Sequence, residues 1–362
     1  MADTILKTEA LAAGYDGKAV IEHIDLLAKP GCVLTLIGPN GAGKSTILKT
    51  LIRQLPPVGG AVLLEGRDLA DFRERELARR TAAVLTERPE PELMTCEDVV
   101  ATGRYPYTGR MGILSQADRE KIAQAMALVH VTPLRDVDFH RISDGQRQRV
   151  MLARAICQEP KVLLLDEPTS YLDLKHKLDF LHLLRALARK QEIAVILSLH
   201  ELDLAQKFSD TVLCIRDGKV DRVGTPEEIF QDGYIEQLYG VERGRYDVRF
   251  GSVEPGPTPG KPRVFVLGGG GSGIPVYRAL HRQGVPFAAG VLAENDVETP
   301  IARALSGIVF TVPAFEPVDA AAVEAALEVL KTCEKLICTT TFGSMNRENQ
   351  KLLEYAENYG MI

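Results

Sequence analysis

The stretch VLTLIGPNGAGKSTILKTLIRQL, from Val33 to Leu55, decides the fold of this chain. Its first six residues form a continuous apolar run, which is typical of a strand buried on both faces of a parallel sheet. Residues 38–45 fit the pattern G-x-x-x-x-G-K-S, and the residues that follow repeat apolar side chains at a helical period. The stretch therefore predicts a strand, a phosphate-binding loop and a helix, and hence an α/β fold.

The loop between this strand and this helix can bind a nucleotide phosphate. Successive backbone N–H groups before a helix attract anions. Lys44 is placed to reach the β- and γ-phosphates, and the Ser45 hydroxyl is a suitable Mg²⁺ ligand. A chance glycine-rich turn is the alternative, and the flanking strand and helix argue against it. We expect nucleotide contacts from Gly38, Pro39, Asn40, Gly41, Ala42, Gly43, Lys44, Ser45 and Thr46.

A second apolar strand ends in two acidic residues. The segment VLLLDEP runs from Val162 to Pro168 and places Asp166 and Glu167 at the carboxyl end of that strand, the edge where open α/β sheets bind ligands. Asp166 is suited to hold Mg²⁺ through water, and Glu167 to orient and deprotonate an attacking water. Acidic strand ends are common, but the phosphate loop makes this one a candidate catalytic site.

The segment RISDGQRQRVMLARAI, Arg141–Ile156, resembles the signature of the ATP-binding-cassette (ABC) ATPases, usually LSGGQ before a basic helix. The resemblance implies a head-to-tail homodimer that binds ATP and Mg²⁺. In that dimer Ser143, Gly145 and Gln146 would cap the γ-phosphate held by the partner. Asp144 replaces a glycine of the signature, so its carboxylate either weakens the closed dimer or points away from the anion. Both alternatives stay open at this stage.

Three further positions match the same family. Thr169–Asp173, TSYLD, looks like the loop whose Asp173 crosses the dimer interface. His200 in LSLHELDLA looks like the switch histidine on the γ-phosphate, and Tyr15 like the aromatic that stacks on adenine. A structural histidine and a packing aromatic are the plainer readings. The resemblance thus implies Lys44, Glu167 and His200 as the catalytic residues.

One family position departs from the pattern. The loop that links the ATP site to the membrane partner normally carries a glutamine after an apolar strand, yet no glutamine occurs between Leu55 and Ser115. Glu87, in AAVLTERPEPEL, is our candidate for that position. Its carboxylate can still ligate Mg²⁺, although it adds one negative charge beside two acidic residues.

Composition narrows the class of protein. The chain has 362 residues, a formal net charge of −6, and 45% hydrophobic residues. These values indicate a globular protein of about two domains, without a basic surface for nucleic acid. No apolar run reaches the roughly 18 residues of a membrane span, and the N-terminus lacks the pattern of a secretory signal. Six cysteines without CxxC pairing suggest a reducing compartment and no metal cluster.

A Pro/Gly-rich segment divides the chain. We predict an ABC-type ATP-binding domain over 1–245, a linker over 246–262, and a small Rossmann-like open α/β domain over 263–362, for which regulation is the candidate role. The last of these opens with RVFVLGGGGSG, in which Gly268, Gly270 and Gly273 fit G-x-G-x-x-G after a strand. Glu294 and Asp296 follow at about the spacing of an acidic residue that binds a ribose.

Three interpretations of this second glycine loop remain. It binds a nucleotide, dinucleotide or other phosphate-bearing ligand as a signal, or it serves only close packing of strand and helix, or it belongs to an oxidoreductase. The third is disfavoured, because about 100 residues leave little room for a substrate domain. The hydroxyl-rich stretch CTTTFGSMN, Cys338–Asn346, either lines a pocket or caps the last helix.

The segment DVVATGRYPYTG, Asp98–Gly109, resembles subunits that power the import of iron chelates and cobalamin. The resemblance implies a peripheral ATPase at the cytoplasmic face of the membrane, docked on permease subunits and indirectly served by a substrate-binding protein. Ferric siderophore is our first choice of cargo, with cobalamin or haem next. A cassette protein of translation or repair, and a binding module without hydrolysis, are the rival classes.

Overall fold

The computed structural model describes residues 4–85, 93–109 and 111–362. The chain forms two compact units, residues 1–234 and 235–362, which are described separately. Within the described ranges, no helix has both the length and the apolar content needed to cross a bilayer.

The first unit contains both strands and helices. Its strands are β1 (Leu6–Tyr15), β2 (Lys18–Ile24), β3 (Leu27–Ala28), β4 (Val33–Ile37), β5 (Gly59–Leu64), β6 (Arg67–Asp68), β7 (Thr81–Val84), β8 (Val162–Leu165), β9 (Ala194–Ser198), β10 (Thr211–Arg216) and β11 (Lys219–Gly224). Its helices are α1 (Lys44–Leu51), α2 (Glu74–Ala78), α3 (Cys96–Ala101), α4 (Gln116–Leu128), α5 (Asp144–Cys157), α6 (Leu174–Gln191), α7 (Leu202–Phe208) and α8 (Pro226–Ile229). Short 3₁₀ turns occupy Leu69–Asp71, Thr102–Arg104, Thr132–Leu134 and Phe139–Arg141.

One mixed sheet organises the first unit. Its order is β6-β5-β1-β2-β11-β10-β4-β9-β8-β7, with β3 paired to β1. The five strands from β10 to β7 are parallel, so the loops after β4, β9, β8 and β7 emerge at one edge. Every residue of β4, β8 and β9 is buried. Their continuous apolar runs are thus explained by a parallel sheet covered on both faces.

The second unit contains a smaller sheet, of order β16-β15-β14-β17, in which all neighbours are parallel. Its strands are β12 (Arg245–Asp247), β13 (Ser252–Glu254), β14 (Val264–Leu267), β15 (Phe287–Ala293), β16 (Ile308–Val312) and β17 (Lys335–Cys338). Helix α9 (Tyr234–Tyr239) begins at the division between the units. The other helices are α10 (Ile274–Arg282), α11 (Thr299–Leu305), α12 (Ala320–Leu330) and α13 (Gln350–Asn358), with a 3₁₀ turn at Arg347–Asn349.

Helices cover both faces of this smaller sheet. Residues of α10 and α11, such as Leu280 and Ile301, share one core cluster with Val264 and Val266 of β14. Residues of α12 and α13, such as Leu330 and Leu352, share the other cluster with alternate residues of the same strand. The strand order, third-second-first-fourth by appearance in this sheet, is that of a Rossmann half.

The boundary between the units differs from the predicted one. The division lies at Tyr234, eleven residues before the predicted end of the first domain. The segment interpreted as a linker contains most of a hairpin, β12 paired with β13, and belongs to the second unit. Glu254 forms an ion pair with Arg278 of α10, and His281 Nε2 lies 3.0 Å from the Gly256 carbonyl oxygen. The prolines of this segment follow the hairpin, and the hairpin itself is attached to α10 through Glu254.

Candidate functional site

The phosphate-binding loop joins β4 to α1 in a backbone shape that requires glycine. Gly38 has a φ of 149° and Gly43 a φ of 104°, in the region that residues with a Cβ rarely adopt. A Cβ at Gly38 would also overlap the carbonyl oxygen of Ile215 on β10. The glycines of the pattern are therefore explained by local geometry before any ligand is considered.

Lys44 is the first residue of α1 and is only 5% exposed. Its ammonium donates hydrogen bonds to the carbonyl oxygens of Gly38, at 2.7 Å, and Pro39, at 2.9 Å. Burial lowers the pKa of Lys44, while the nearby carboxylates of Glu167 and Asp166 oppose this shift. The predicted phosphate-binding cation and the two predicted acidic residues thus lie within electrostatic reach of one another.

The remaining loop residues have graded exposure. Asn40 and Gly41 are exposed, Pro39, Ala42 and Ser45 are half-buried, and Thr46 is buried. The backbone N–H of Ala42 donates to the Pro39 carbonyl, which closes the turn. The Ser45 hydroxyl sits in the first turn of α1, where an oxygen donor for Mg²⁺ is expected.

Asp166 and Glu167 directly follow β8, at the same sheet edge as the phosphate loop. Asp166 is buried, and its Oδ1 accepts a hydrogen bond of 2.8 Å from the hydroxyl of Ser198. The same hydroxyl accepts one of 2.8 Å from the backbone N–H of Glu167. Ser198, the last residue of β9, is fully buried and therefore fixes the position of both acidic residues.

Sequence reasoning missed Ser198. In the sequence, Ser198 is recognisable only as a hydroxyl residue near the end of an otherwise apolar strand. Its contact with Asp166 could be predicted only if β8 and β9 were known to be neighbours. Thr169 and Glu201 were missed for the same reason. The Thr169 hydroxyl donates to Glu201 Oε2 at 2.9 Å, which ties the segment after Glu167 to the one after His200.

His200 follows β9 and lies beside Glu167. Its Nε2 is 2.5 Å from Glu167 Oε1, so the imidazole donates to the carboxylate. The hydroxyl of Ser170 donates to the other oxygen, Oε2, at 3.3 Å. Glu167 itself has a φ of 49°, in the left-handed region that a non-glycine residue occupies only when its surroundings fix it there.

The signature segment forms the N-terminus of α5. Ser143 caps this helix by accepting from the Gln146 N–H at 3.3 Å, and the Gln146 side chain accepts from the Ser143 N–H at 2.9 Å. Asp144 Oδ1 lies 3.6 Å from Arg147 of the same helix. This contact favours the second alternative for Asp144, because the carboxylate is directed toward its own helix. The charge of Arg147 there partly balances that of the carboxylate.

The predicted interface residue Asp173 is the N-cap of α6. It accepts from the His176 N–H at 2.9 Å, and lies 2.7 Å from His176 Nδ1. These bonds, the backbone one first, lower the pKa of Asp173. Gly145 lies beside this segment, because a Cβ there would be 3.5 Å from Leu172 and 3.6 Å from His176. The signature and the Asp173 segment therefore form one continuous surface.

Tyr15 stands apart from this cluster. Tyr15 is the last residue of β1 and is 46% exposed. The hairpin of β1 and β2 lies beside the phosphate loop, because a Cβ at Gly43 would be 3.1 Å from Ile21 of β2. An exposed aromatic ring on this hairpin is suited to stack on a base. Glu87 lies outside the described residues, which resume at Leu93 after Leu85, so its role remains a prediction.

The second glycine loop lies between β14 and α10, as predicted. The Gly270 N–H donates to Asp296 Oδ2 at 2.8 Å, and the Gly273 N–H donates to Glu298 Oε2 at 2.6 Å. The loop therefore binds anionic groups, and these are carboxylates of this chain. Glu294, the other predicted ribose ligand, lies 3.4 Å from Arg303.

Comparison with known proteins agrees with this geometry. Residues 21–170 match the ABC transporter family, and residues 287–361 match the MJ0874 family. An uncharacterized ABC transporter ATP-binding protein, MJ0873 of Methanocaldococcus jannaschii, is 42% identical over 80% of this chain and 100% of its own length. The ferric enterobactin transport ATP-binding protein FepC of Escherichia coli is 35% identical over 73% of this chain and 94% of its own.

Solved structures show the same fold. The structure of cbiO1 from Clostridium perfringens, part of the ABC transporter complex cbiONQ, is 28% identical, with a TM-score of 0.57 over 69% of this chain and 98% of that chain. The predicted P-loop α/β fold and the resemblance to the ABC ATPases are thereby confirmed. The chain belongs to the ATP-binding proteins of the ABC transporter family, and it is an ATPase.

Proposed function

We propose that this protein is the ATP-hydrolysing subunit of an importer, working as a head-to-tail homodimer on permease subunits at the cytoplasmic face of the membrane. The observation that carries the proposal is the assembly of Lys44, Asp166, Glu167 and His200 at one edge of the parallel sheet. Hydrolysis of a phosphoanhydride needs a phosphate cradle, a metal ligand and a base, and this edge provides all three.

Glu167 is the proposed general base. In the hydrolysis step a water attacks the γ-phosphorus, its proton passes to Glu167, and the bond from that phosphorus to the β–γ bridging oxygen breaks. His200 donates to Glu167 and thereby orients the carboxylate, and Lys44 stabilises charge on the phosphate oxygens. The oxygen donors of Ser45 and Asp166 fit Mg²⁺, with Glu87 the further candidate ligand. That ion would neutralise charge on the β- and γ-phosphates.

The dimer completes the site from the other copy. Ser143, Gly145 and Gln146 lie at the N-terminus of α5, whose backbone amides attract the γ-phosphate bound by the partner. Asp173 lies on the same surface, and Tyr15 stacks on adenine in its own copy. ATP then shifts the population toward the closed dimer, because only that state contacts the γ-phosphate from both sides.

The proposed permease surface lies beside β7. A groove of about 690 Å³ runs along this edge strand, lined among others by Arg53, Glu74, Met151 and Arg154. Helix α3 and the 3₁₀ turn after it are the next described elements after β7 in the sequence. Tyr105, directly after this turn, is 70% exposed. The groove beside β7 and this aromatic are suited to receive a short amphipathic helix of the permease.

The segment with Tyr105 is held by a buried arginine. Arg104 lies 2.9 Å from Asp118 and 2.9 Å from Glu159, and it donates to the Cys157 carbonyl at 2.7 Å. Arg104 therefore anchors the segment, which leaves Tyr105 free to contact a partner. Removal of Arg104 would leave the buried Asp118 without its cation, whereas Glu159 would keep Lys121, so we expect a cost of about 1–3 kcal/mol in folding free energy.

Ferric siderophore is the proposed cargo. The support is the segment Asp98–Gly109, which resembles that of iron-chelate and cobalamin importers, together with the similarity to FepC, a ferric enterobactin transport ATP-binding protein. The ATPase does not itself contact cargo in this mechanism, so the cargo must be tested in the assembled transporter.

Two measurements test the proposal separately. First, purified protein should hydrolyse Mg·ATP, and Glu167→Gln should abolish hydrolysis and accumulate an ATP-dependent dimer in light scattering. A variant that stays monomeric with ATP would contradict the dimer mechanism. Second, deletion of the gene should stop uptake of labelled ferric siderophore and leave cobalamin uptake unchanged. The reverse result would assign cobalamin instead. Tyr105→Ala should reduce uptake while the ATPase rate of the purified subunit is retained.

A further inference from the structure

A cavity of about 420 Å³ opens at the carboxyl edge of the second unit's sheet. It is lined by the glycine loop after β14, by the ends of β15 and β16, and by the segment after β17, Thr340–Asn346. Strand β14 continues into α10 on one face of the sheet, and its neighbour β17 continues into α13 on the other, which makes this edge the switch point of the sheet. Open α/β sheets bind ligands at such a point. Nothing in the ATP-hydrolysing site accounts for this cavity, which lies wholly in the second unit.

The glycine loop beside this cavity accommodates a carboxylate of its own chain. Glu298 is fully buried and accepts from the Gly273 N–H at 2.6 Å. A Cβ at Gly268 would overlap Glu298 Oε1, and one at Gly273 would lie 2.7 Å from the Tyr277 ring and 3.0 Å from Glu298 Oε2. The glycine pattern is thus explained by the room that Glu298 and Tyr277 need. A ligand pyrophosphate is not required to explain it.

Asp296 occupies a second amide of the loop. Its Oδ2 accepts from the Gly270 N–H at 2.8 Å, and its Oδ1 accepts from the Glu298 N–H at 3.0 Å. A phosphate at the Gly270 and Gly273 amides would have to displace the carboxylates of Asp296 and Glu298 or lie against them. Like charges in contact repel strongly where water is scarce. Among the described residues that line the cavity, none is lysine, arginine or histidine. The charge of the site therefore opposes phosphate.

The same groups suit a ligand that donates hydrogen bonds. Asp296 Oδ2 accepts one bond from the loop and Oδ1 one from the Glu298 N–H, and each oxygen retains capacity for another. Thr340, Thr341 and Ser344 also line the cavity and bring hydroxyl groups to it, and Phe342 and Val318 supply apolar surface. An acidic residue after the second strand of such a sheet is the position that binds ribose hydroxyls. A volume of this size lies in the range of small-molecule sites.

We propose that the second unit binds a ribonucleoside without phosphate, either neutral or positively charged. The Asp296 carboxylate accepts from the ribose hydroxyls, and the base lies against the apolar wall that includes Phe342. Glu298 fills the position that a phosphate would take. The ligand is thereby distinguished from ATP, which the first unit holds by the opposite charge pattern.

The test uses full-length protein carrying Glu167→Gln and saturated with Mg·ATP, so that the first unit's site is filled. Calorimetric titration with adenosine, guanosine, cytidine, uridine and S-adenosylmethionine should show binding by at least one of them. The matched 5′-monophosphate of a neutral ligand, or ADP-ribose for the adenosine compounds, should bind at least tenfold more weakly. The S-adenosylmethionine arm separates a cationic ligand from a neutral one.

Two substitutions connect the binding to this cavity. Asp296→Asn should weaken nucleoside binding at least tenfold. Glu298→Gln retains an oxygen acceptor for the Gly273 N–H but removes the charge, so it should narrow the gap between nucleoside and nucleotide. Glu328→Gln changes an exposed carboxylate on α12 and serves as the control, with binding unchanged. Tighter binding of the nucleotide, or no binding by any of the five compounds, would overturn the proposal. Either result would leave the ATPase function untouched.

Discussion

The hydroxyl of Ser198 donates a hydrogen bond of 2.8 Å to Oδ1 of Asp166. Because the same oxygen accepts from the Glu167 N–H, one buried group fixes both the proposed metal ligand and the proposed base. Ser198→Ala would leave the buried Asp166 Oδ1 without this donor and the Glu167 N–H without this acceptor, at a cost of about 1–3 kcal/mol in folding free energy. Since about 1.4 kcal/mol corresponds to tenfold in rate, we expect kcat about tenfold lower, with more Mg²⁺ needed for half-maximal activity.

Ser209→Ala is the matched control for this prediction. Its hydroxyl donates to Thr35 Oγ1 on β4 at 2.6 Å, also in buried surroundings, but it touches neither acidic residue. Both variants should lose some thermal stability, and only Ser198→Ala should lose kcat and shift the Mg²⁺ dependence. Equal losses of kcat in the two variants would reduce Ser198 to a packing role.

The buried ammonium of Lys44 makes stability depend on pH. Burial lowers the pKa of Lys44 in the folded protein, so between that value and the unfolded value of about 10.4 the unfolded chain binds more protons. Stability therefore rises with pH through this window. Relative to Lys44→Met, which cannot titrate, the wild type should gain free energy of unfolding as pH increases toward about 10. Urea unfolding of the first unit at several pH values measures this difference.

Lys219→Met, at an exposed position of β11, corrects for the general effects of removing a lysine. The wild-type advantage over Lys44→Met should grow with pH more than its advantage over the control. A difference that declines with pH would contradict the inferred direction of the Lys44 shift.

The parts of the site that sequence predicted are those that local backbone geometry determines. The roles of Gly38 and Gly43 could be predicted from the sequence, because their positive φ values require glycine at a fixed spacing from Lys44. Buried parallel strands were readable from continuous apolar runs. Ser198 was not readable, because its meaning depends on β9 lying beside β8, a pairing between segments more than 30 residues apart.

The second unit shows the converse case. G-x-G-x-x-G after a strand predicted the right loop and the right sheet, yet left the ligand open. Glu298, which satisfies the Gly273 N–H, follows 25 residues later and has no motif of its own. The hairpin of β12 and β13 was similarly hidden, since its proline- and glycine-rich surroundings matched the composition of a linker.

Asp144 lets the charge of the signature be tested directly. Its carboxylate pairs with Arg147 at 3.6 Å on an exposed surface, where such pairs contribute little. In the proposed dimer it still adds negative charge near the partner's γ-phosphate. Asp144→Gly should therefore strengthen ATP-dependent dimerisation of the Glu167→Gln protein about two- to fivefold, and the gain should shrink at high salt.

Arg147→Gln supplies the opposite change. It removes the cation that neutralises Asp144, so the dimer should weaken by a similar factor, again more at low salt. Light scattering with ATP at two salt concentrations measures both variants. If Asp144→Gly weakens the dimer, the carboxylate contributes to the interface in some other way, and the electrostatic argument fails.

The buried carboxylate of Glu298 predicts a second pH dependence, opposite in direction to that of Lys44. Burial raises the pKa of Glu298 above its usual value, while the hydrogen bond from the Gly273 N–H partly opposes this. Between the unfolded value of about 4.3 and the higher folded value, the folded protein binds more protons. The stability of the second unit should therefore fall as pH rises through this window. Glu298→Gln, which keeps the acceptor oxygen, should not show that loss.

Amide hydrogen exchange of the segment around Gly273 follows this local stability without requiring the two units to unfold together. The exchange rates are first corrected for their intrinsic pH dependence. In the wild type, the protection of this segment should then fall relative to that in Glu298→Gln, from about pH 4 upward until Glu298 is fully ionised. Glu294→Gln is the control, because Glu294 lies on the same connection but is exposed beside Arg303. A wild-type segment that gains protection with rising pH would mean that the amide bond outweighs burial, and that the loop favours the ionised carboxylate.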